Sequence, residues 1–153
     1  MSTGEAEATM LACCGSKRWA RRMARARPFP GEHELFASAD RIWRELSKAD
    51  WLEAFGAHPR IGSRASGRAA DEQAGARGAT PETLAALARA NRGYEERFGR
   101  IFIVCASGLS AEEMLDLCRR RLHNGPADEL KVAAEEQRKI TRLRLQKWLS
   151  SLS

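Results

Sequence analysis

One stretch of this 153-residue chain, Ile101 to Cys105 (IFIVC), has the composition of a β-strand, and the sequence contains no second stretch of this kind. A lone strand cannot pair its backbone N–H and C=O groups in a sheet. We therefore expect this stretch to be an extended connector that is buried between helices. Its backbone groups then need other partners, in the protein or in a ligand.

The rest of the chain has the apolar spacing and the end signals of α-helices. Leu35 and Ile42 fall on one face of a helix, and Ser110 and Glu113 have the spacing of a capping box. We expect helices over residues of about 5–13, 16–26, 33–46, 50–55, 80–98, 110–122 and 127–149. The predicted fold is all-α, a single-domain compact helical bundle with one buried extended connector.

The helix that begins at Thr80 and Pro81 is expected to carry one mostly apolar set of side chains. Its members are Leu84, Leu87, Ala88, Asn91, Tyr94 and Phe98. Residues 57–79, which precede this helix, lack long-range periodicity and contain several glycines. We expect an irregular segment there.

The composition is that of a globular protein, with 43% hydrophobic and 30% charged residues, and the length suits one domain over residues 1–153. No apolar run approaches the roughly 18–20 residues that a membrane span needs. The first residues also lack the basic-then-apolar pattern of a secretory leader. We expect a cytoplasmic protein without a membrane partner.

Four cysteines, Cys13, Cys14, Cys105 and Cys118, are present, and they form no CxxC motif and no metal-ligand spacing with histidine. Adjacent cysteines such as Cys13 and Cys14 cannot easily bridge each other. We expect free, buried thiols and no metal site.

The net charge of +6 and the cluster from Lys17 to Arg27 (KRWARRMARAR) raise the question of a polyanionic partner. Two later basic clusters, at residues 119–121 and 138–147, have acidic residues close to them in the sequence. No basic strand with interleaved aromatic residues is present, and an anionic small molecule would be attracted equally well. We expect no nucleic-acid partner, and a basic helical module that binds nucleic acid or an acidic protein stays open as an alternative.

His58 lies in the stretch AHPRIGS, residues 57–63, at the start of the irregular segment. Pro59 restricts its backbone, and histidine is the usual proton shuttle near neutral pH. His33 and His123 lie near predicted helix ends, and we expect both to be exposed. From spacing alone, His58 is either a capping or surface residue or a catalytic one.

Arg144 lies on the apolar side of the last predicted helix. On a wheel of about 100° per residue with Ile140 at zero, Arg144 falls near 40° and Trp148 near 80°. A guanidinium that faces a core needs a counter-charge. Arg144 therefore either reaches the domain edge or pairs with a structural carboxylate, or it anchors a bound carboxylate or ureido group.

Glu72 lies in the irregular segment, 14 residues after His58 (72 − 58). A carboxylate beside a histidine fixes its tautomer and raises its basicity. Glu72 is either such a partner or part of a solvated surface turn.

Several motifs, in their order and spacing, resemble the OHCU decarboxylase family, and they extend over nearly the whole chain. They are CCGSKRWARRM and RPF, then DWLEAFGAHPRIG, EQAG and NRGYEERFGRIFIVCASG, and finally ADELKVAAEEQRKITRLRL. Members of this family decarboxylate 2-oxo-4-hydroxy-4-carboxy-5-ureidoimidazoline (OHCU) to (S)-allantoin in urate degradation.

The resemblance implies an all-helical homodimer that binds this ureidoimidazoline substrate and uses no metal or organic cofactor. It implies catalytic roles for His58, Glu72 and Arg144. The residues that it implies around the substrate are Pro59, Ala69, Gln73, Phe102, Ile103, Val104, Cys105 and Ala106.

The chain departs from the family pattern just before the glutamate. Family members often have a serine where this chain has Ala69, and the stretch from Ser63 to Asp71 is shortened and rich in Arg and Ala. A lost hydroxyl contact is worth about 0.5–1.5 kcal/mol, which affects affinity more than the type of reaction. A pseudoenzyme that retains the fold therefore stays open as a further alternative.

Overall fold

The computed structural model describes residues 1–61, 72, 74–76 and 78–152 of the chain. Within these residues there is no β-strand, which confirms the all-α prediction. The α-helices of the described residues are α1 Thr3–Cys13, α2 Lys17–Ala26, α3 Glu32–Glu45, α4 Lys48–Phe55, α5 Pro81–Phe98, α6 Ala111–Arg121 and α7 Pro126–Ser151. A turn of 3-10 helix lies at Ala74–Ala76. The predicted helix ends agree with these bounds to within two residues.

Side-chain caps fix where most of the helices begin. A serine or threonine hydroxyl accepts the backbone N–H of the residue three positions later at the start of five helices. These capping residues are Ser2, Ser16, Ser47, Thr80 and Ser110. The predicted capping box at Ser110 is confirmed, because Glu113 also accepts the Ser110 N–H at 3.1 Å. At the other end of α5, Gly99 has φ +74°, a left-handed conformation that favours glycine and turns the chain into the connector.

The described residues divide into two compact units. The first comprises Met1–Ala57 with Gln137–Ser153, and the second comprises His58–Glu136. In the first unit, α2 packs against α1, α3 and α4. Trp19 anchors this packing, since its side chain is fully buried and its indole N–H donates to the Ala39 carbonyl at 3.1 Å.

The second unit has its core between α5 and α6. The buried side chains of this core are Ile61, Leu87, Tyr94, Phe102, Val104, Ala106, Met114 and Cys118. Two members of the predicted apolar set on α5, Leu84 and Ala88, are instead exposed. They line a cavity of about 360 Å³ together with Asn91 and other residues, so the core covers a narrower face of α5 than the sequence indicated.

The connector that follows α5 is buried, as predicted, and it has no regular secondary structure. Two of its backbone groups have partners within the second unit. The Ile103 carbonyl accepts from Arg121 Nη1 at 2.6 Å, and the Cys105 N–H donates to Glu136 Oε1 at 3.0 Å. Charged side chains of α6 and α7 therefore take the place that a neighbouring strand would have in a sheet.

Arg121 belongs to a buried polar network that the sequence did not predict. Its Nε and Nη2 donate to Glu129, whose side chain is fully buried, at 3.1 and 2.6 Å. The hydroxyl of Tyr94 and the amide of Asn124 donate to the same carboxylate. The guanidinium carbon also lies 4.5 Å from the centre of the Phe102 ring. The network therefore joins α5, α6 and α7 to the connector.

The charges of this network are fixed by their surroundings. Burial alone would lower the pKa of the Arg121 guanidinium, but the hydrogen bonds and charge of Glu129 raise that pKa above its ordinary value. Burial and then the hydrogen bond to Glu129 raise the pKa of Tyr94. Both groups therefore keep their protons as hydrogen-bond donors.

Replacing Glu129 by Gln should strongly destabilise the protein, because it leaves the Arg121 charge buried without a counter-charge. We expect a loss of about 3–5 kcal/mol in the free energy of unfolding, measured by urea denaturation. A matched control is Glu45→Gln, which breaks the exposed ion pair with Arg22 (3.0 Å) and should leave the urea midpoint nearly unchanged. Equal midpoints for the two variants would contradict the structural role of the network.

Candidate active site

His58 lies just after the end of α4 in the sequence. The helix stops at Phe55, and the next two residues form a turn in which the Gly56 and Ala57 N–H groups donate to carbonyls of the last helical turn, at 3.0 and 3.2 Å. His58 follows directly, and its side chain and that of Pro59 are half-buried. A half-buried imidazole can exchange protons with a ligand while its backbone is restricted by the following proline.

The residues that follow His58 and Pro59 are fixed to α5 by three contacts. The Ile61 side chain is buried in the core of the second unit, and its carbonyl accepts from Asn91 Nδ2 at 2.9 Å. Arg60 Nε lies 2.7 Å from Glu95 Oε1, one helical turn beyond Asn91. The chain just after the histidine is therefore tied to a rigid helix.

Glu72 is half-buried, and the turn after it is held by a close backbone approach. A Cβ atom added at Gly75 would lie 1.7 Å from the Leu109 carbonyl oxygen, just before the N-cap of α6. Only glycine permits this approach, so Gly75 fixes the segment that carries Glu72. The predicted substrate contacts Ala69 and Gln73 lie outside the described residues.

The connector residues that were expected to line the substrate belong to the same unit as His58 and Glu72. Four of them, Phe102, Ile103, Val104 and Ala106, are buried, and Cys105 is half-buried. The connector therefore presents little side-chain surface to solvent.

Arg144 lies on α7 in the first unit, and it is half-buried. Ile140 and Leu145 are buried on the same stretch of helix, in agreement with the inward position on the wheel. Arg144 Nη1 donates to the Cys13 carbonyl at 3.4 Å, which orients the guanidinium from α1. The roles of Arg144 and of the other implied site residues remain predictions.

The cysteines beside Arg144 are structural. Cys13, Cys14 and Cys118 are buried and form no disulfide, whereas Cys105 is half-buried. Burial raises the pKa of the Cys14 thiol to about 11, which the nearby Arg144 charge only partly offsets. A buried thiol with a raised pKa is a poor nucleophile. The prediction of buried thiols outside disulfides is confirmed for three of the four cysteines.

Sequence reasoning missed Arg121, Glu129 and Glu136, which hold the connector. It placed Asn91 in the side-chain set of α5 without predicting its hydrogen bond to Ile61. The helical wheel used for Arg144 could have identified Glu129. Glu129 lies 11 residues before Ile140, which places it only about 20° from that buried residue. A carboxylate at the centre of an apolar face is a signal of a buried ion pair.

The basic cluster of α2 is partly neutralised within the first unit. Arg18 lies 3.6 Å from Asp50, and Arg22 lies 3.0 Å from Glu45. His33 and His123 are exposed, as predicted. None of the helices in the described ranges has the length and apolarity needed to span a membrane.

Comparison with known proteins identifies the family. A family model described as OHCU decarboxylase matches residues 1–146. The uric acid degradation bifunctional protein of Arabidopsis thaliana is 39% identical over 159 residues, which cover 98% of this chain and 48% of that protein. The OHCU decarboxylase of Amia calva is 36% identical over 78% of this chain and 73% of that protein.

A solved structure of an OHCU decarboxylase in the presence of (S)-allantoin matches with a TM-score of 0.84 and 42% identity, over 92% of this chain and 96% of that one. The all-α fold thus has a solved counterpart. The chain belongs to the OHCU decarboxylase family. It spans about half the length of the Arabidopsis relative, which is described as bifunctional.

Replacing Gly75 by Ala should destabilise the protein by about 1–3 kcal/mol, because the added methyl group overlaps the Leu109 carbonyl. It should also lower turnover, since the segment that bears Glu72 must shift. Gly93→Ala makes the same chemical change within α5, where nothing lies within 4 Å, and should stabilise by about 0.5–1 kcal/mol. Thermal unfolding should therefore give a lower Tm for Gly75→Ala and a higher Tm for Gly93→Ala than for the wild type. A Gly75→Ala protein with an unchanged Tm would contradict the close approach.

Proposed function

We propose that this protein decarboxylates OHCU to (S)-allantoin in urate degradation, and that residues 1–153 act as one OHCU decarboxylase-like domain. The observation that carries the proposal is the solved OHCU decarboxylase, crystallised in the presence of (S)-allantoin, which aligns with 92% of this chain at 42% identity. The family model, which matches residues 1–146, supports the same conclusion over both compact units.

The substrate itself can take up the electrons that decarboxylation releases. When the bond between C4 and the carboxylate breaks, its electron pair forms a C4–C5 double bond and CO₂ leaves. The former C5–N double bond gives its pair to nitrogen, which takes up a proton. The 4-hydroxyl then loses its proton to become a carbonyl as C5 gains one, and this last step creates the stereocentre. Overall, the substrate in its carboxylate form takes up one proton and loses CO₂.

His58 is the residue that we propose to handle these protons, with Glu72 orienting its ring. A proton delivered from one fixed imidazole reaches only one face of the planar intermediate, and this yields one enantiomer. Solvent would protonate both faces. The contacts that fix Arg60 and Ile61 to α5 support a histidine of defined position, and such general acid–base help is typically worth about 10²–10⁴-fold in rate.

Arg144 is the proposed anchor of the anionic substrate. Its planar guanidinium suits a carboxylate or a ureido oxygen, because it offers paired N–H donors in one plane. We propose that Pro59, Ala69, Gln73 and the backbone of residues 102–106 form the remaining contacts. The hydrogen bonds from Arg121 and to Glu136 support a connector of fixed geometry.

The direct test adds the purified protein to freshly oxidised and hydrolysed urate and follows the circular dichroism of the allantoin that forms. We expect accumulation of the (S)-enantiomer faster than the spontaneous reaction. If the folded protein leaves both rate and chirality at their spontaneous values, the family fold serves another purpose here, such as that of a pseudoenzyme or a basic binding module.

The site variants should separate the proposed roles. We expect His58→Asn to lower kcat by about 10²–10⁴-fold. Glu72→Gln should also lower kcat, and Arg144→Lys should raise KM. His123→Asn is the matched control for the histidine, because His123 is exposed and should leave turnover unchanged. Stereospecific turnover by His58→Asn at the wild-type rate would contradict the assignment.

We also propose that the protein acts in the cytoplasm on this small water-soluble anion, and that it is a homodimer, as the family resemblance implies. Sedimentation equilibrium should then give twice the 17.0 kDa chain mass at micromolar concentration. A single species of 17.0 kDa under those conditions would refute the dimer and leave the proposed reaction unaffected.

A further inference from the structure

Asn91 is an unusual residue for its position in α5. It is 4% exposed and lies one turn after Leu87 and one turn before the Glu95 that pairs with Arg60. Burying an amide in a core is unfavourable unless its polar atoms are hydrogen-bonded. A leucine at this position would fill a similar volume without that requirement. Packing alone therefore does not explain why this residue is an asparagine.

The described residues satisfy only half of this amide. Its nitrogen donates to the Ile61 carbonyl at 2.9 Å, whereas in the part of the chain that the structure describes its oxygen has no hydrogen-bond partner. An unsatisfied buried acceptor lowers stability by at least as much as a single net hydrogen bond raises it. Stability therefore does not account for Asn91.

The hydrogen bond fixes the chain close to His58. Ile61 is three residues after His58, and Pro59 and Arg60 are all that lies between them. With Pro59 restricting the backbone and Arg60 paired to Glu95, a fixed Ile61 carbonyl leaves the His58 backbone little freedom. Displacement of a catalytic group by about 1 Å can cost about 10²-fold in rate.

We infer that Asn91 is a positioning residue, which holds His58 for stereospecific proton delivery through its hydrogen bond to the Ile61 carbonyl. The inference rests on the decarboxylation proposed above. It assigns to a side chain of α5 the task of holding in place the segment that bears His58.

The test compares Asn91→Leu with Leu87→Ala. The first variant removes the hydrogen bond and keeps the apolar volume, whereas the second opens a cavity on the same helix and leaves the hydrogen bond in place. We expect Asn91→Leu to keep the wild-type Tm within a few degrees, to lower kcat by about 10–10²-fold with little change in KM, and to lower the enantiomeric excess of the allantoin. Leu87→Ala should lower Tm more, yet retain kcat and full enantiomeric excess well below its Tm.

A spectroscopic readout makes the inference independent of turnover. The imidazole C–H signals of the three histidines are resolved by NMR and assigned with single His→Asn variants. In Asn91→Leu the His58 signal should shift and broaden, while those of the exposed His33 and His123 stay in place, and Leu87→Ala should leave all three unchanged.

The outcomes separate the two proposals. An inactive wild-type protein whose His58 signal still responds to Asn91→Leu would overturn the proposed reaction and support the positioning role. An active protein in which Asn91→Leu retains kcat, enantiomeric excess and the His58 signal would overturn the positioning role alone. Loss of activity in both variants in proportion to their loss of Tm would also overturn it, since Asn91 would then serve stability only.

Discussion

The buried ion pair between Arg121 and Glu129 is the interaction on which the second unit depends. Two charges removed from water are tolerated only when their hydrogen bonds are nearly complete, and here Tyr94, Asn124 and the Ile103 carbonyl complete them. Each of these partners belongs to a different segment of the chain. A single set of contacts therefore specifies how three helices and the connector pack, with a precision that apolar packing alone does not impose.

This network also explains how an all-helical protein can present extended backbone at a candidate active site. Extended chain normally obtains its hydrogen bonds from a neighbouring strand, and the connector obtains them from side chains of α6 and α7 instead. The segments that bear His58 and Glu72 are fixed in an analogous way, by Asn91 and by the close approach at Gly75. The segments that we propose to carry the chemistry thus depend on tertiary contacts for their rigidity.

The sequence predicted what local chemistry decides. Helix ends were found because capping side chains such as Ser110 act within one turn, and the buried connector was found because a lone strand has no partner. The tertiary hydrogen bonds escaped prediction, because Asn91 and Ile61 lie 30 residues apart and nothing local brings them together. For the candidate site, the helical wheel placed Arg144 on the inward side of its helix but left its role open. His58, Glu72 and Arg144 were all separated from their structural alternatives only through the family resemblance.

The central claim is that a fixed imidazole, rather than solvent, protonates the intermediate formed from OHCU. The most direct measurement runs the reaction in D₂O and examines C5 of the fresh allantoin by NMR and circular dichroism. We predict one deuterium at C5 in a single enantiomer, (S), with the protein present. Deuterated allantoin in which both enantiomers are equally abundant, as expected for solvent protonation, would contradict the claim.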